Sequence, residues 1–335
     1  MMDVTRSKNA PLVTVGIPVF NGEKSLPRVL ALISNQDYAN IEILFADNNS
    51  SDNSRGIIQG FILQNKNVRL ISSEVNRGAL ANINSLFANA QGKYMLLASL
   101  DDGWSHDFIS NSVKVMEVSP DASLCIPKVK MCLGPKGATV YSIELDENYF
   151  LGSKSRRFWR TLTSFPSAGW YGLYRLSAVR SVGPIPISFA GDLIFLQKLS
   201  LVSDFIYCDT SILTFQMREK WNSKELDTSF FYGTEQERLP YQPFLIVLKT
   251  QFFEILGMKL HWFFTWGIFL QILLNLFLTK TLAGIILLIR LSPISRVSRM
   301  WLLRKIHLFL LKPSWISIES LDAFLKKEVY DRYGV

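Results

Sequence analysis

Apolar and polar residues follow two different periods along the first hundred residues. Four short apolar runs, rich in β-branched residues, predict strands at 12–21, 41–54 (a strand that runs into a polar turn), 67–73 and 93–100. Three amphipathic stretches between them predict helices at 22–36, 54–64 and 78–92. Strands that alternate with helices in this way are typical of right-handed βαβ units. The pattern therefore predicts an α/β fold with a mainly parallel central sheet.

Polar residues follow three of these strands at the point where each strand ends: Asn21-Gly22, Asp47-Asn48-Asn49 and Asp101-Asp102. In open α/β sheets, ligands bind beyond the carboxyl ends of the strands, so these clusters mark the expected binding edge. The Asp101-Asp102 pair lowers the stability of the folded chain, because adjacent carboxylates repel and burial increases the repulsion. A divalent cation that bridges a diphosphate would neutralise the pair. The alternative is a solvated turn that caps a helix beginning near Ser105.

The second half of this region has a less regular pattern. Strands are predicted at 123–132 and 205–215, a strand and a short helix within 169–183, and a helix at 191–203 with Asp192 in its first turn. The basic stretch 154–160 mixes four cations with Phe158 and Trp159. It could contact an acceptor phosphate or lipid headgroups, but we expect a solvated loop with one anchored aromatic pair there, since runs of charge usually face water.

Composition narrows the setting of the protein. The chain has 335 residues and 48% hydrophobic residues, so it can bury a sizeable core. Its three cysteines show no Cys-x-x-Cys spacing, and its three histidines are too scattered to form a metal site. Such sparse cysteines favour reduced thiols in the cytosol. No apolar run of signal-peptide length begins the chain, so we expect the first domain to stay there.

Positive charge is concentrated in the most apolar part of the chain. Residues 241–318 carry nine basic and one acidic residue, a net charge of +8, which equals that of the whole chain. Twenty uncharged residues lie between Lys259 and Lys280, and 298–312 is a basic amphipathic stretch. A single span would export the basic residues that follow, against the positive-inside rule. We therefore expect helices that lie in the membrane interface, and no binding of nucleic acid.

A helical cap or a dimer interface is the alternative for this segment, so a homo-oligomer stays open. The predicted organisation is a catalytic domain at 1–228, a polar, proline-containing linker at 229–243 and a membrane-associated helical region at 244–335.

Five stretches, in order, resemble the family-2 glycosyltransferases: residues 13–21, 43–54, 76–84, 92–104 and 191–199. The resemblance covers roughly residues 11–220 and implies the GT-A nucleotide-sugar-binding fold. It also implies a divalent metal, Mn²⁺ or Mg²⁺, and a nucleoside-diphosphate sugar as donor, with a UDP-sugar favoured.

The resemblance assigns roles to the polar strand ends. Asp47 would accept a hydrogen bond from the nucleobase, and Asn48 stands where the family has a second acid. Asp102 would bind the metal, and Asp101 would approach the ribose or diphosphate. The remaining donor-binding residues that it implies are Pro18, Asn21, Arg77 and Arg218, the last of which could close over the diphosphate.

Asp192 stands where the family has the second acid of a Glu-Asp pair, which implies that it is the general base, and Gly191 replaces the glutamate. An inverting transfer needs one carboxylate to deprotonate the acceptor hydroxyl as it attacks the anomeric carbon. Gln216, Arg218 and Trp221 do not keep the Gln-x-x-Arg-Trp spacing of processive members. This argues against a polymerising synthase.

The sequence therefore predicts a non-processive, metal-dependent, inverting hexosyltransferase of the bacterial surface-polysaccharide type, including O-antigen and lipopolysaccharide synthesis. Its acceptor would be a lipid-linked saccharide at the cytoplasmic face of the inner membrane, where the protein would be peripheral or monotopic. Two alternatives stay open. One is a polyprenyl-phosphate glycosyltransferase. The other is an inactive sugar-nucleotide-binding or scaffold protein, which the substitutions at Asn48, Ser99 and Gly191 would allow.

Overall fold

A computed structural model describes residues 10–133, 138–146, 148–164, 167–187 and 191–217. Within these ranges, nine strands form one sheet in the order β3-β2-β1-β4-β8-β6-β9-β5, and β7 pairs with β6. Helices pack against this sheet, and the α/β class predicted from the sequence is confirmed.

The first half of the sheet is parallel. Its elements are β1 (Val13–Val19), α1 (Leu26–Ser34), β2 (Ile41–Asp47), α2 (Ser54–Gln64), β3 (Val68–Ser72), α3 (Ala79–Asn89) and β4 (Tyr94–Leu97). All seven were predicted, and α2 has the predicted bounds. β1 lies between β2 and β4 and pairs with both in parallel. The chain therefore turns to one side of β1 and then to the other, which makes the end of β1 a topological switch point.

The second half of the sheet is mixed. Its elements are β5 (Gly103–Trp104), α4 (Phe108–Glu117), β6 (Ala122–Leu133), β7 (Ala138–Ile143), α5 (Lys154–Ser164), a 3₁₀ turn (Ser167–Trp170), β8 (Leu173–Arg175), α6 (Leu176–Val182), α7 (Gly191–Val202) and β9 (Asp204–Met217). β8 runs antiparallel to β4 and β6, whereas β9 runs parallel to β6 and antiparallel to β5. The predicted strands and helices of this half are present.

Two local expectations were wrong, and two strands were missed. The stretch 154–160 is helical, because Arg157 and Phe158 turn inward and are buried. The Arg157 guanidinium donates to the Ser200 carbonyl at 2.7 Å and forms an ion pair with Asp204 at 2.8 Å. The helix expected near Ser105 begins at Phe108, since β5 comes first. Strands β5 and β7 were not predicted.

The predictions for residues 229–335 lie outside the described residues, and they stay predictions. Within the described ranges, no helix combines the length and the apolar character needed to cross a bilayer.

Candidate active site

The polar strand ends meet at one edge of the sheet. Val19 at the end of β1 is in register with Asp47 at the end of β2, and Gly16 is in register with Leu97 at the end of β4. The segments that continue from these strands carry Asn21, the residues after Asp47, and the Asp101-Asp102 pair. Parallel pairing therefore brings three separate clusters to the switch point, as the sequence predicted.

The loops that follow β1 and β2 are bonded to each other. Asn21 Oδ1 accepts from the amide of Ser51 at 2.9 Å, and the Asn21 amide donates to Ser50 Oγ at 2.9 Å. The Gly22 amide donates to Ser54 Oγ at 2.8 Å. Asn21 adopts a left-handed backbone with φ of 50°, a conformation that asparagine tolerates better than most residues. The two loops thus form one pre-shaped surface, and Pro18, half-buried in β1, lies just before it.

Asp47 is almost fully buried and its charge is balanced within the protein. Its Oδ2 lies 2.5 Å from Nε of Arg55, and both carboxylate oxygens accept from the Ser50 amide at 3.3 Å. The carboxylate is therefore oriented before any ligand arrives. Contact between Asp47 and a nucleobase stays a prediction.

Asn48 explains one departure from the family pattern. Its Nδ2 donates to Asn76 Oδ1 at 2.7 Å and to the Gly78 carbonyl at 3.3 Å, and its Oδ1 accepts from the Arg77 amide at 2.9 Å. A carboxylate at this position could not donate to the two oxygens. Asn48 therefore holds the segment before α3 against the end of β2, and the side chain of Arg77 extends from this segment into solvent.

Asp102 is the most unusual group at this edge. It is 2% exposed, Oδ1 accepts from the Gln216 amide at 3.0 Å, and Oδ2 is buried without a hydrogen-bond partner among the described residues. Loss of solvent raises the pKa of the carboxyl to about 6, and the charge of Asp101 adds to this. The Gln216 amide, the Ser99 hydroxyl and Arg28 oppose the shift.

The unpartnered Oδ2 fits a cation ligand. A buried carboxylate oxygen without a partner is expensive to maintain, and hard divalent cations prefer oxygen ligands. The described residues contain no group of three or more histidine, cysteine or acidic side chains that could hold a metal ion. A cation here would therefore take most of its ligands from a bound molecule such as a diphosphate, and from water.

Asp192 lies in the first turn of α7. Its side chain is open to solvent, yet protein atoms surround it closely enough that partial desolvation raises the pKa of the carboxyl. The Leu193 amide, which donates to Oδ1 at 2.9 Å, opposes this shift.

The glycine before Asp192 has a structural cause. A Cβ at Gly191 would collide with the carbonyl oxygen of Pro186 and would lie 2.9 Å from Cδ1 of Leu80. The segment that contains Pro186 is fixed by Asn84 of α3, whose side chain binds the amide and the carbonyl of Ile185, each at 2.8 Å. Backbone atoms therefore fill the space next to residue 191, which leaves no room for a glutamate.

Sequence reasoning missed Arg28 and gave Asn84 no definite role. Arg28, an exposed residue of α1, donates to the carbonyls of Leu100 and Asp102, each at 2.8 Å. No local pattern marks either residue, since each acts on a segment distant along the chain. Arg218 lies outside the described residues, so its predicted role stays a prediction.

We predict that Asp102→Asn stabilises the metal-free protein at alkaline pH. The pKa of about 6 in the folded chain exceeds the ordinary 3.8, so the folded state holds the proton more tightly. Stability therefore falls as pH rises from 4 to 6, and the penalty is complete above that range. Asparagine does not ionise, and at pH 8 it should raise the free energy of unfolding by about 2 to 3 kcal/mol, but little at pH 4.

Urea denaturation with a chelator at both pH values measures this difference. Asp121→Asn, the same change at an exposed position, is the control and should stay near the wild type at both. An Asp102→Asn protein no more stable than the wild type at pH 8 would contradict the proposed desolvation.

Solved structures share this fold. The crystal structure of TarS 1-349 from S. aureus, in complex with UDP-GlcNAc, matches with a TM-score of 0.55 and 17% identity, over 75% of this chain and 68% of that chain. The full TarS structure matches with a TM-score of 0.50 and 16% identity, over 62% of this chain and 37% of that chain. Likeness at this level of identity supports the GT-A-like fold alone.

Curated relatives match part of this chain. An uncharacterized glycosyltransferase of Haemophilus influenzae is 33% identical over 108 residues, 32% of this chain and 43% of the relative. The Escherichia coli protein WfgD, named UDP-Glc:alpha-D-GlcNAc-diphosphoundecaprenol beta-1,3-glucosyltransferase, is 28% identical over 105 residues, 31% of this chain and 41% of the relative. The chain thus spans less than half of either relative.

The family assignment rests on a longer match. The protein-family model described as glycosyl transferase family 2 matches residues 14–183, just over half of the 335 residues. This range runs from β1 through α6 and contains every polar strand end described above. The chain belongs to glycosyl transferase family 2.

Proposed function

We propose that this glycosyltransferase moves a single sugar, with inversion, from a nucleoside-diphosphate sugar to a hydroxyl group of a lipid-linked saccharide. A divalent metal, Mn²⁺ or Mg²⁺, would be required. The observation that carries the proposal is the buried Oδ2 of Asp102, near the switch point of the sheet, which has no hydrogen-bond partner among the described residues.

The donor would lie along the edge formed by the ends of β1, β2 and β4. Asp47, oriented by Arg55, would face the nucleobase, and the bonded loops around Asn21 would support the nucleoside. Asp101 would approach the ribose or diphosphate, and the guanidinium of Arg77 would face its negative charge. The TarS complex with UDP-GlcNAc supports a UDP-sugar as the first donor to test.

The metal would be held by Oδ2 of Asp102 and would supply positive charge to neutralise the leaving diphosphate. The protein prepares this oxygen in advance, because the Gln216 amide already occupies Oδ1 at 3.0 Å. A preoriented ligand does not need to reorganise when the donor binds, which favours affinity.

Asp192 would remove the proton from the acceptor hydroxyl. Desolvation raises the pKa of its carboxyl, which makes it a stronger base than an ordinary aspartate. Near Asp192, Asn84 of α3 binds Ile185, and Leu80 of α3 lies close to Gly191.

The curated relatives support the acceptor class. WfgD is named for a GlcNAc-diphosphoundecaprenol acceptor, and a Campylobacter jejuni relative, 27% identical over 93 residues, for a GalNAc(5)-diNAcBac-PP-undecaprenol acceptor. Both acceptors are saccharides on a lipid diphosphate. A membrane-bound acceptor would favour attachment at the cytoplasmic face of the inner membrane, through the basic, apolar residues 241–318.

We predict that Asp192→Asn lowers turnover by on the order of 10²-fold or more while donor binding stays near that of the wild type, because the change removes basicity but little volume. Turnover is measured as UDP release from a panel of UDP-sugars with a GlcNAc-diphospholipid acceptor, and donor binding by calorimetry. Asp209→Asn, at an exposed position of β9, is the matched control and should keep full turnover. Unchanged turnover in Asp192→Asn would assign the base to another residue.

We also predict that the full chain floats with anionic vesicles more than with neutral ones. Each basic residue near an anionic surface contributes about 1 kcal/mol, and salt screens this attraction. Replacing Arg299, Arg304 and Lys305 by glutamine should reduce flotation on anionic vesicles and leave the weak binding to neutral vesicles unchanged. Equal flotation of both proteins on anionic vesicles would refute an electrostatic membrane contact by this segment.

A further inference from the structure

One arginine outside the sheet binds the turn that carries the carboxylate pair. Arg28 Nη1 donates to the Asp102 carbonyl at 2.8 Å, and Nη2 donates to the Leu100 carbonyl at 2.8 Å. The two carbonyls flank Asp101, so a single guanidinium group spans the turn. Arginine is suited to this, because its donors form a rigid planar fork that a lysine lacks.

Other contacts fix the same turn from within the sheet. The Gln216 amide of β9 donates to Asp102 Oδ1 at 3.0 Å, and the Asp101 amide donates to Ser99 Oγ at 3.2 Å. Directly after the pair, Gly103 is in register with Thr214 of β9. Helix α1 thus contacts the turn through Arg28, whereas these other contacts come from β9 and from the turn itself.

Helix stability does not account for Arg28. The residue lies in the first turn of α1, where a positive charge opposes the helix dipole, and that turn has no acidic residue. Its side chain is mostly exposed, so burial of apolar surface does not account for it either. The two hydrogen bonds that Arg28 donates to the turn therefore account for an arginine at this position.

We propose that Arg28 is a positioning residue for the metal ligand: by holding the carbonyls of Leu100 and Asp102 together, it fixes the direction in which Asp102 presents its unpartnered Oδ2. The proposal rests on the metal-dependent donor binding proposed above. Arg28 also favours the ionised form of Asp102, since its charge lowers the pKa of that carboxyl. Contacts of this kind behind a metal ligand change metal affinity without touching the metal.

The test compares three variants of the full chain by calorimetric titration of UDP, with and without Mn²⁺. Arg28→Gln removes the fork and the charge, and Arg28→Lys keeps the charge alone. Arg180→Gln is the matched control, because Arg180 is also an exposed helix arginine that donates to a backbone carbonyl, that of Ala90 at 2.7 Å. Thermal unfolding of each variant reports any general loss of structure.

Arg28→Gln should weaken Mn²⁺-dependent UDP binding by roughly 10-fold or more and leave metal-free UDP binding unchanged. Arg28→Lys should show an intermediate loss, and Arg180→Gln should bind as the wild type does even if its unfolding temperature falls. If Arg28→Gln does not fold, Arg28→Lys carries the comparison.

Two results would overturn the proposal while the wild type still requires Mn²⁺. One is unchanged Mn²⁺ dependence in both Arg28 variants, and the other is an equal loss with and without the metal, which would indicate a general structural role. A wild-type chain that does not bind UDP more tightly with Mn²⁺ would instead contradict the proposed metal-dependent function, and this inference with it.

Discussion

The proposed site depends on one buried carboxylate, that of Asp102, whose lost hydration is only partly replaced by hydrogen bonds. Asp102 is 2% exposed, its Oδ1 accepts from the Gln216 amide at 3.0 Å, and its Oδ2 has no hydrogen-bond partner among the described residues. Such a group costs stability, and its pKa of about 6 expresses that cost. Native chains retain local costs of this kind mainly at functional sites. The β1 switch point, the β9 amide and the α1 arginine are all arranged around this group.

Helix α3 connects the two halves of the proposed reaction centre. Asn48 binds the segment just before its first turn, and Asn84 and Leu80 contact the chain that leads into Asp192. Two of the three substitutions that leave room for an inactive protein, those at Asn48 and Gly191, lie at these contacts. Asn48 therefore holds the segment before α3, and Gly191 fits against the Pro186 carbonyl, where a larger residue would collide. This arrangement favours an active enzyme over a binding protein that has lost catalysis.

Local pattern was enough to predict the first seven elements, because each strand is an apolar run that ends in a polar turn. Local pattern failed where the burial or the role of a residue depends on a partner that is distant along the chain. Arg157 is buried because Asp204 and the Ser200 carbonyl receive its guanidinium, and nothing near residue 157 indicates those partners. Arg28 is likewise indistinguishable in sequence from an ordinary surface arginine. The strand-end acids could be predicted, whereas the residues that orient them become visible only through the tertiary contacts.

The central claim is that Asp102 offers its free oxygen to a metal that accompanies a nucleotide. The most direct measurement is a crystal structure of the full chain grown with UDP and Mn²⁺, with an anomalous difference map at a wavelength that identifies manganese. The account predicts a manganese peak directly beside Oδ2 of Asp102, with the uracil ring beyond the ends of β1 and β2. Manganese bound elsewhere, or UDP bound at this edge while Oδ2 of Asp102 contacts only protein atoms, would contradict it.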